Sequence, residues 1–282
     1  MTERLADINA RIEGITQLGT VMNAMRGIAA ARAQQARSQL AAVEHYAAGI
    51  TAAIGRALSF LPASPADDHG PRRAALVLFC AEQGFAGAFS ERVLDAAGAD
   101  LRTSELFLIG TRGLTAVQER GITPGWSSPL PAHSAGIPRL ADSIAQALYQ
   151  RIATAGLNQI DAMFSIFQPG QAITITRLRL LPFDTTAFPR TAPGGMPVLN
   201  LAPEAPLHGL MADYVHAQLC SAGLHGFAAE NQARMEAMAS AHQQVERQLS
   251  SLQSTQRVVR QEEITAEIIE LAAGETASRD II

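Results

Sequence analysis

The sequence predicts the α/β class: a long antiparallel coiled coil of N- and C-terminal helices with an inserted Rossmann-like α/β domain. Three observations predict it. Apolar residues in residues 1–61 and 207–282 recur at three- and four-residue steps, the spacing of a coiled-coil seam. Between them, residues 72–206 alternate short apolar runs with amphipathic stretches, as strands alternating with helices do. Proline-rich segments, Pro62 to Pro71 and Phe183 to Pro206, separate the three parts.

In the first part, Leu5, Ile8, Ile12 and Ile15 open the seam. Leu18, Val21, Met25 and Ile28 continue it after one three-residue slip. Ala29, Ala33, Ala36, Leu40, Val43, Ala47, Ile50, Ile54, Ala57 and Leu61 complete it. No proline interrupts this run before Pro62.

The middle part changes period. Ala75 to Cys80 and Leu106 to Ile109 read as buried strands, followed by helices from Ser90 and over Arg112 to Arg120. Gly121 to Pro138 reads as a loop, and Arg139 to Ala155 as an amphipathic helix. Met163–Phe167 and Ile173–Leu180 form a strand pair around Gln168-Pro169-Gly170. In the last part, Met235, Met238, His242, Val245, Leu249, Leu252, Gln256 and Val259 hold one stripe; Ile264, Ile268 and Leu271 resume it after a shift. Gly223 and Gly226 weaken the helix near its start.

Neither terminal helix can bury its seam alone, and both attach to the same domain, so each is the other's antiparallel partner. At 1.5 Å per residue the first helix, about 54 residues, spans ~80 Å and the last, about 67 residues, ~100 Å. Matching their bases sets Ile50 beside Gly209, Met25 beside Arg234 and Leu5 near Ser254. The last helix then projects alone beyond about Arg260, with Ile264, Ile268, Ile269, Leu271, Ala272 and Ala273 lacking an intramolecular groove.

Composition narrows the function. Hydrophobic residues are 48% and charged residues 17%, which suits a folded chain with a core. A net charge of -4 argues against a general nucleic-acid binder. The basic residues are arginine throughout. Cys80 and Cys220 have no CxxC spacing, so buried reduced thiols are expected. No apolar stretch reaches the ~20 residues of a membrane span, and the charged N-terminus carries no secretion signal. The turn Glu82-Gln83-Gly84-Phe85-Ala86-Gly87-Ala88-Phe89-Ser90 sits where a nucleotide-binding loop would, but its glycines are spaced GxxG rather than GxGxxG. No catalytic, cofactor or metal residues are assigned. The histidines are scattered, and the acidic pairs Asp67-Asp68 and Glu262-Glu263 fall in a linker and on a helix surface.

The terminal helices carry a resemblance. Ile8-x-x-Arg11-Ile12-x-x-Ile15-Thr16 with Ala24-Met25-Arg26-x-Ile28-Ala29-Ala30-Ala31 is similar to the opening helix of the gamma subunits of F-type ATP synthase. Glu230-x-x-Ala233-Arg234-Met235-x-Ala237-Met238 and Arg260-Gln261-x-x-Ile264-Thr265-x-Glu267-Ile268-x-Glu270 resemble their closing helix. The middle matches loosely. The family's first-helix lysines are absent, Arg257 replaces a usual asparagine, and Glu82-Gln83 stands for a usual Asp-Arg pair, which points to a divergent or alternative bacterial F-ATPase branch.

The resemblance implies a non-catalytic rotor shaft turning inside the hexamer of alpha and beta subunits. The α/β domain would sit against the epsilon subunit and the membrane ring of c subunits, with peripheral attachment at the cytoplasmic face of the bacterial inner membrane. It implies subunit contacts at Met25, Arg26, Arg32, Arg37, Arg234, Arg260, Gln261 and Thr265. Two other classes compete: a Rossmann-like nucleotide-dependent enzyme with oligomerising helices, and a homodimeric coiled-coil adaptor.

Overall fold

The computed structural model describes residues 3–59, 72–184, 187–188 and 204–279. The order is α1 (Glu3–Leu58), β1 (Ala74–Phe79), α2 (Phe89–Ala97), α3 (Asp100–Thr103), β2 (Glu105–Ile109), α4 (Thr111–Glu119), β3 (Trp126–Ser128), α5 (Ile137–Ala155), β4 (Gln159–Ile166), β5 (Thr174–Leu181) and α6 (Glu204–Arg279). The chain forms two compact units, one of Met1–Ile28 with Met235–Ile282 and one of Ala29–Arg234.

In the larger unit the five-stranded sheet runs β3-β2-β1-β4-β5. Pairings β1–β2, β1–β4 and β2–β3 are parallel, while β4–β5 is an antiparallel hairpin. Strand alternation divides the core into two layers. Val77, Phe79, Phe107 and Ile109 face Ile137, Leu140, Ile144 and Leu148 of α5, with Val215, Leu219, Leu224 and Phe227 of α6. Leu76, Leu78, Leu106 and Leu108 face Phe89, Val93 and Leu94 of α2 and Val117 of α4. Each such buried side chain contributes about 1.5–3 kcal/mol. Both faces of β1 and β2 are covered, which is why those strands read as unbroken apolar runs.

Glycines govern the fit of α6 on this sheet. A Cβ at Gly223 would stand 2.9 Å from Ile137 Cγ2, and one at Gly226 would stand 3.3 Å from Phe79 Cβ. These residues cost helix propensity because the helix axis must pass close to the β1 face. The strand β3 lies in what the sequence presents as a loop. Its three residues, between Pro124-Gly125 and Pro129, are too few to show a period.

The other wall of the larger unit is the base of the helix pair. Ala47, Ile50, Ile54 and Leu58 of α1 cluster with Leu207, Leu210, Tyr214 and Ala217 of α6. Gly209 is exposed and a Cβ there would meet nothing, so the seam does not run through it as the expected register required.

In the smaller unit, Leu5 and Ile8 pack with Val259, Gln256 Nε2 donates to Asn9 Oδ1 at 2.6 Å, and Arg4 meets Glu262 at 3.3 Å. The pairing is antiparallel, as expected. Leu5 sits by Val259 rather than Ser254, an offset of about five residues or one and a half turns. The expected register was counted from the linkers, but α1 ends at Leu58 and α6 begins at Glu204, and seam packing decides the match.

The α1 seam also differs from its sequence reading. Leu18, Val21 and Ile28 are 46%, 54% and 55% exposed, whereas Gly19 is buried and Met22 and Met25 are half-buried. A Cβ on Gly19 would lie 3.2 Å from Val245 Cγ1. The three-four stepping therefore continues from Ile15 through Gly19 without a slip. Large apolar side chains drew the sequence reading to the wrong stripe at the point where a close approach requires glycine.

Beyond Val259, α6 turns its apolar residues outward. Ile264, Ile268, Ile269 and Leu271 are 50%, 60%, 63% and 74% exposed. The side chain of Ala273, expected to share this exposure, lies outside the described residues.

Candidate functional site

The sheet places the Glu82–Ser90 turn at the C-terminal end of β1, as the sequence indicated, and α6 crosses it with four polar residues clustered within little more than one helical turn. Glu230, Asn231, Gln232 and Arg234 are all buried. Glu230 is held as a bidentate acceptor: the backbone N–H groups of Glu82 and Gln83 donate to its two carboxylate oxygens, each at 3.2 Å. Arg234 takes the turn's carbonyls. Its Nε donates to Gly84 O at 3.0 Å and its Nη2 to Gln83 O at 3.1 Å. Arg234 also pairs with Glu230 one turn back and donates to Asn231 Oδ1.

Glu82 extends the grip outward. Its carboxylate accepts from Thr111 N at 3.0 Å, Thr111 Oγ1 at 2.7 Å and Leu130 N at 2.8 Å. Thr111 opens α4, whose N-terminal partial positive charge suits a carboxylate. A carboxylate at position 82 thus meets three donors. From α1, Arg32 Nη1 donates to Gln83 Oε1 at 3.0 Å.

This arrangement has a consequence for nucleotide binding. A cleft of about 390 Å³ opens beside the turn, lined in part by Gly84, Phe85, Arg112, Glu91 and Glu119. Two of the turn's amides, those of Glu82 and Gln83, are already occupied by Glu230 and are closed to a phosphate. Gly84 packs on the Arg112 guanidinium, where a Cβ would come within 3.1 Å of Nη2. Two acids line the cleft and face an anion unfavourably. The GxxG turn serves as packing between sheet and helices.

Phe85 is the strained residue of the turn. It adopts φ 63 and is 66% exposed. A bulky side chain in the left-handed region costs about 1–2 kcal/mol. Phe85→Gly is expected to raise stability by up to about 1 kcal/mol, because little buried surface is lost while the strain is removed. Urea melts of the two full chains check this; a loss of stability would show that the ring is held by packing.

The remaining sequence-assigned residues divide. Arg234 was expected at a subunit contact, but its side chain is 5% exposed and its guanidinium is engaged inside the chain. Arg26, exposed, donates to Asn23, and Arg37 donates to Gln34 and stands 5.6 Å over the Phe167 ring. Arg260, Gln261 and Thr265 are exposed; Thr265 Oγ1 donates to Gln261 O of its own helix. Met25 is half-buried. The structure brings Arg32 and Arg234 to one turn, and Arg260, Gln261 and Thr265 to one stretch of α6.

Sequence reasoning quoted Glu230 only as part of the resemblance, without its hold on the turn, and missed Asp161. A signal existed for both: charged residues at i and i+4 in an otherwise small-residue, buried helix segment, and an acid inside a strand opposite arginines at period two. Asp161 on β4 is 2% exposed and is bonded by Arg177, Arg179 and Gln159. Arg177 reaches Asp100 as well.

Both thiols are free and buried, as expected. Burial pushes Cys80 up to about 12, aided by Glu91 and Glu230; burial and then Asp142 push Cys220 to about 12. A Cβ on Gly113 would come 2.3 Å from Cys80 Cβ, so Cys80 packs as a small apolar residue against that glycine. Among the described residues no group of His, Cys, Asp and Glu is arranged to hold a metal ion, and no helix is long and apolar enough to cross a membrane.

Comparison with known proteins agrees with the plan of long terminal helices and an inserted sheet. The sequence profile of the family described as ATP synthase matches residues 4–277. An ATP synthase gamma chain of Frankia casuarinae is 28% identical, with 98% of each chain covered. One from Parafrankia sp. is 29% identical, again with 98% of each covered. In solved structures, a chain of the Euglena gracilis mitochondrial ATP synthase OSCP/F1/c-ring assembly shares the fold at a TM-score of 0.65. It is 12% identical, with 97% of this chain and 94% of that chain covered. A chain of the Euglena gracilis rotor follows at 0.63 and 11% identity, with 93% and 99% covered. Terminal motifs, sheet topology and a profile match spanning nearly every residue agree that the chain belongs to the ATP synthase family, among its gamma chains.

Proposed function

We propose that this chain is the central shaft of a rotary ATP synthase, a non-catalytic subunit that carries torque between the membrane rotor and the catalytic subunits. The observation that carries the reading is the last stretch of α6. Its polar residues Arg260, Gln261 and Thr265 and its apolar residues Ile264, Ile268, Ile269 and Leu271 are exposed together. An apolar stripe of this kind is a liability in a free chain and suits one enclosed by a sleeve of other subunits. The sleeve is the hexamer of alpha and beta subunits, and the α/β domain meets the epsilon subunit and the c-subunit ring. The chain is peripheral, at the cytoplasmic face of a bacterial inner membrane. Differences in contact free energy at each shaft orientation shift the affinities of the catalytic sites.

Arg260, Gln261 and Thr265 are the polar catches on those subunits, and Met25, Arg26, Arg32 and Arg37 are contacts along α1. Arg32 and Arg37 also have partners within the chain, so their contacts outward are made by the remaining guanidinium donors. The joint substitution Arg260→Ala and Gln261→Ala removes exposed side chains whose effect on stability is at most about 1 kcal/mol. The chain is expected to fold normally while coupled ATPase activity of the complex falls. Unchanged coupling in an intact complex would remove these two residues from the contact.

A further inference from the structure

We infer that Glu230 and Arg234, with the turn at residues 82–84, form the joint through which twist passes between the α/β domain and α6. The inference rests on the shaft reading and names the part of the chain that bears the load.

The physical reason is directional. Apolar contacts, which make up most of the α6 footing, favour burial but set no particular rotation of a helix about its axis. A helix lying on glycines 223 and 226 has a smooth face at that point. Hydrogen bonds from charged groups resist both roll and slide, because their strength falls steeply with angle and distance. The pair Glu230 and Arg234 supplies four bonds to the turn, two accepted and two donated, on one helix face.

The grip then spreads through Glu82. Its carboxylate ties the turn after β1 to Thr111, which follows β2, and to Leu130, which follows β3. One buried ion pair on α6 is therefore connected to the C-terminal ends of three neighbouring strands. A buried ion pair adds little net stability over an apolar replacement, so a role in fixing geometry accounts for it better than stability does.

Two measurements on Arg234→Lys and Glu230→Gln test the joint. Arg234→Lys keeps the charge and loses the planar fork, so it retains folding where a larger change would not. The first measurement is amide hydrogen exchange on the full chain. Exchange at Glu82 and Gln83 is expected to accelerate by about tenfold or more in Glu230→Gln, with the β1 amides unchanged. Equal acceleration along β1 would make Glu230 a general stability residue and overturn the joint, whatever the chain does in a complex.

The second measurement uses the assembled complex, comparing ion-driven ATP synthesis with unloaded ATP hydrolysis. Arg234→Lys is expected to lower synthesis while leaving unloaded hydrolysis unchanged, because only loaded rotation stresses the joint. Equal loss of both, or loss of neither, overturns it. Absence of the unsubstituted chain from the complex would instead defeat the shaft reading, which keeps the two failures distinct.

Discussion

Gly110→Ala is expected to lower the stability of the larger unit by about 3 kcal/mol or more, through backbone strain added to overpacking. Gly110 has φ 101, a conformation that L side chains avoid. A Cβ there would lie 2.5 Å from Cys80 O, 2.7 Å from Ala81 O and 2.8 Å from Cys80 C. These are main-chain atoms of the strand end and cannot swing aside. The clash falls where β1 and β2 finish side by side and where Gly110 N donates to Ser128 O, so three strand ends would be displaced together. Urea unfolding followed by circular dichroism checks the size. A loss below about 1 kcal/mol would mean that the backbone relaxes far more readily than close packing allows.

Asp161 should produce the second large effect, and one that depends on pH. Burial alone would raise its carboxyl; hydrogen bonds from Arg177, Arg179 and Gln159, with the Arg177 charge, outweigh burial and hold it below the ordinary aspartate value. A lowered folded pKa contributes stability that is present above the unfolded value of about 3.9 and is lost as pH falls through the folded value. The α/β domain should therefore weaken in acid below about pH 4. Asp161→Asn is expected to cost about 1.5–3 kcal/mol at neutral pH, the range for hydrogen bonds to charged groups. The lower part of that range is favoured because Arg177 and Arg179, 38% and 47% exposed, are re-solvated when the acid is gone. The variant's stability should also vary less with pH in the acid range. An unaltered acid limb in Asp161→Asn would assign the acid sensitivity elsewhere.

The two effects show where sequence reasoning reaches and where it stops. Periodicity carried the plan: the C-terminal stripe from Met235 to Val259, the apolar runs of β1 and β2 and the hairpin around Gly170 all emerged from residue spacing. What failed were the places where a small residue decides. Gly19 takes the seam position that the sequence reading gives to Leu18, and Gly209 does not take the one assigned to it. The first error comes from reading hydrophobicity as proximity, when the closest approach of two helices excludes large side chains; the second comes from counting register from the linkers, whose ends do not determine which turns pack.

The site was legible only in part. The turn after β1 could be located because it follows an apolar run and contains glycines. Its occupant could not, because Glu230 lies 148 positions from Glu82 and nothing local links them. Arg234 illustrates the same limit from the other side. Resemblance placed it among subunit contacts, whereas folding turns its guanidinium inward onto Gln83 and Gly84. Arg260, Gln261 and Thr265 remain outward, so the same motif reading assigned residues of two different physical kinds.

The central claim is that this chain works as the shaft inside a hexamer of ATP synthase alpha and beta subunits. The most direct test is to tag the chain, isolate it gently under native conditions and identify the subunits that accompany it. The account predicts alpha and beta subunits in equal amounts, three of each for one copy of this chain, released together only when the assembly is dissociated. A chain recovered alone or as a homodimer, with no ATP synthase subunits from cells that make them, would contradict it.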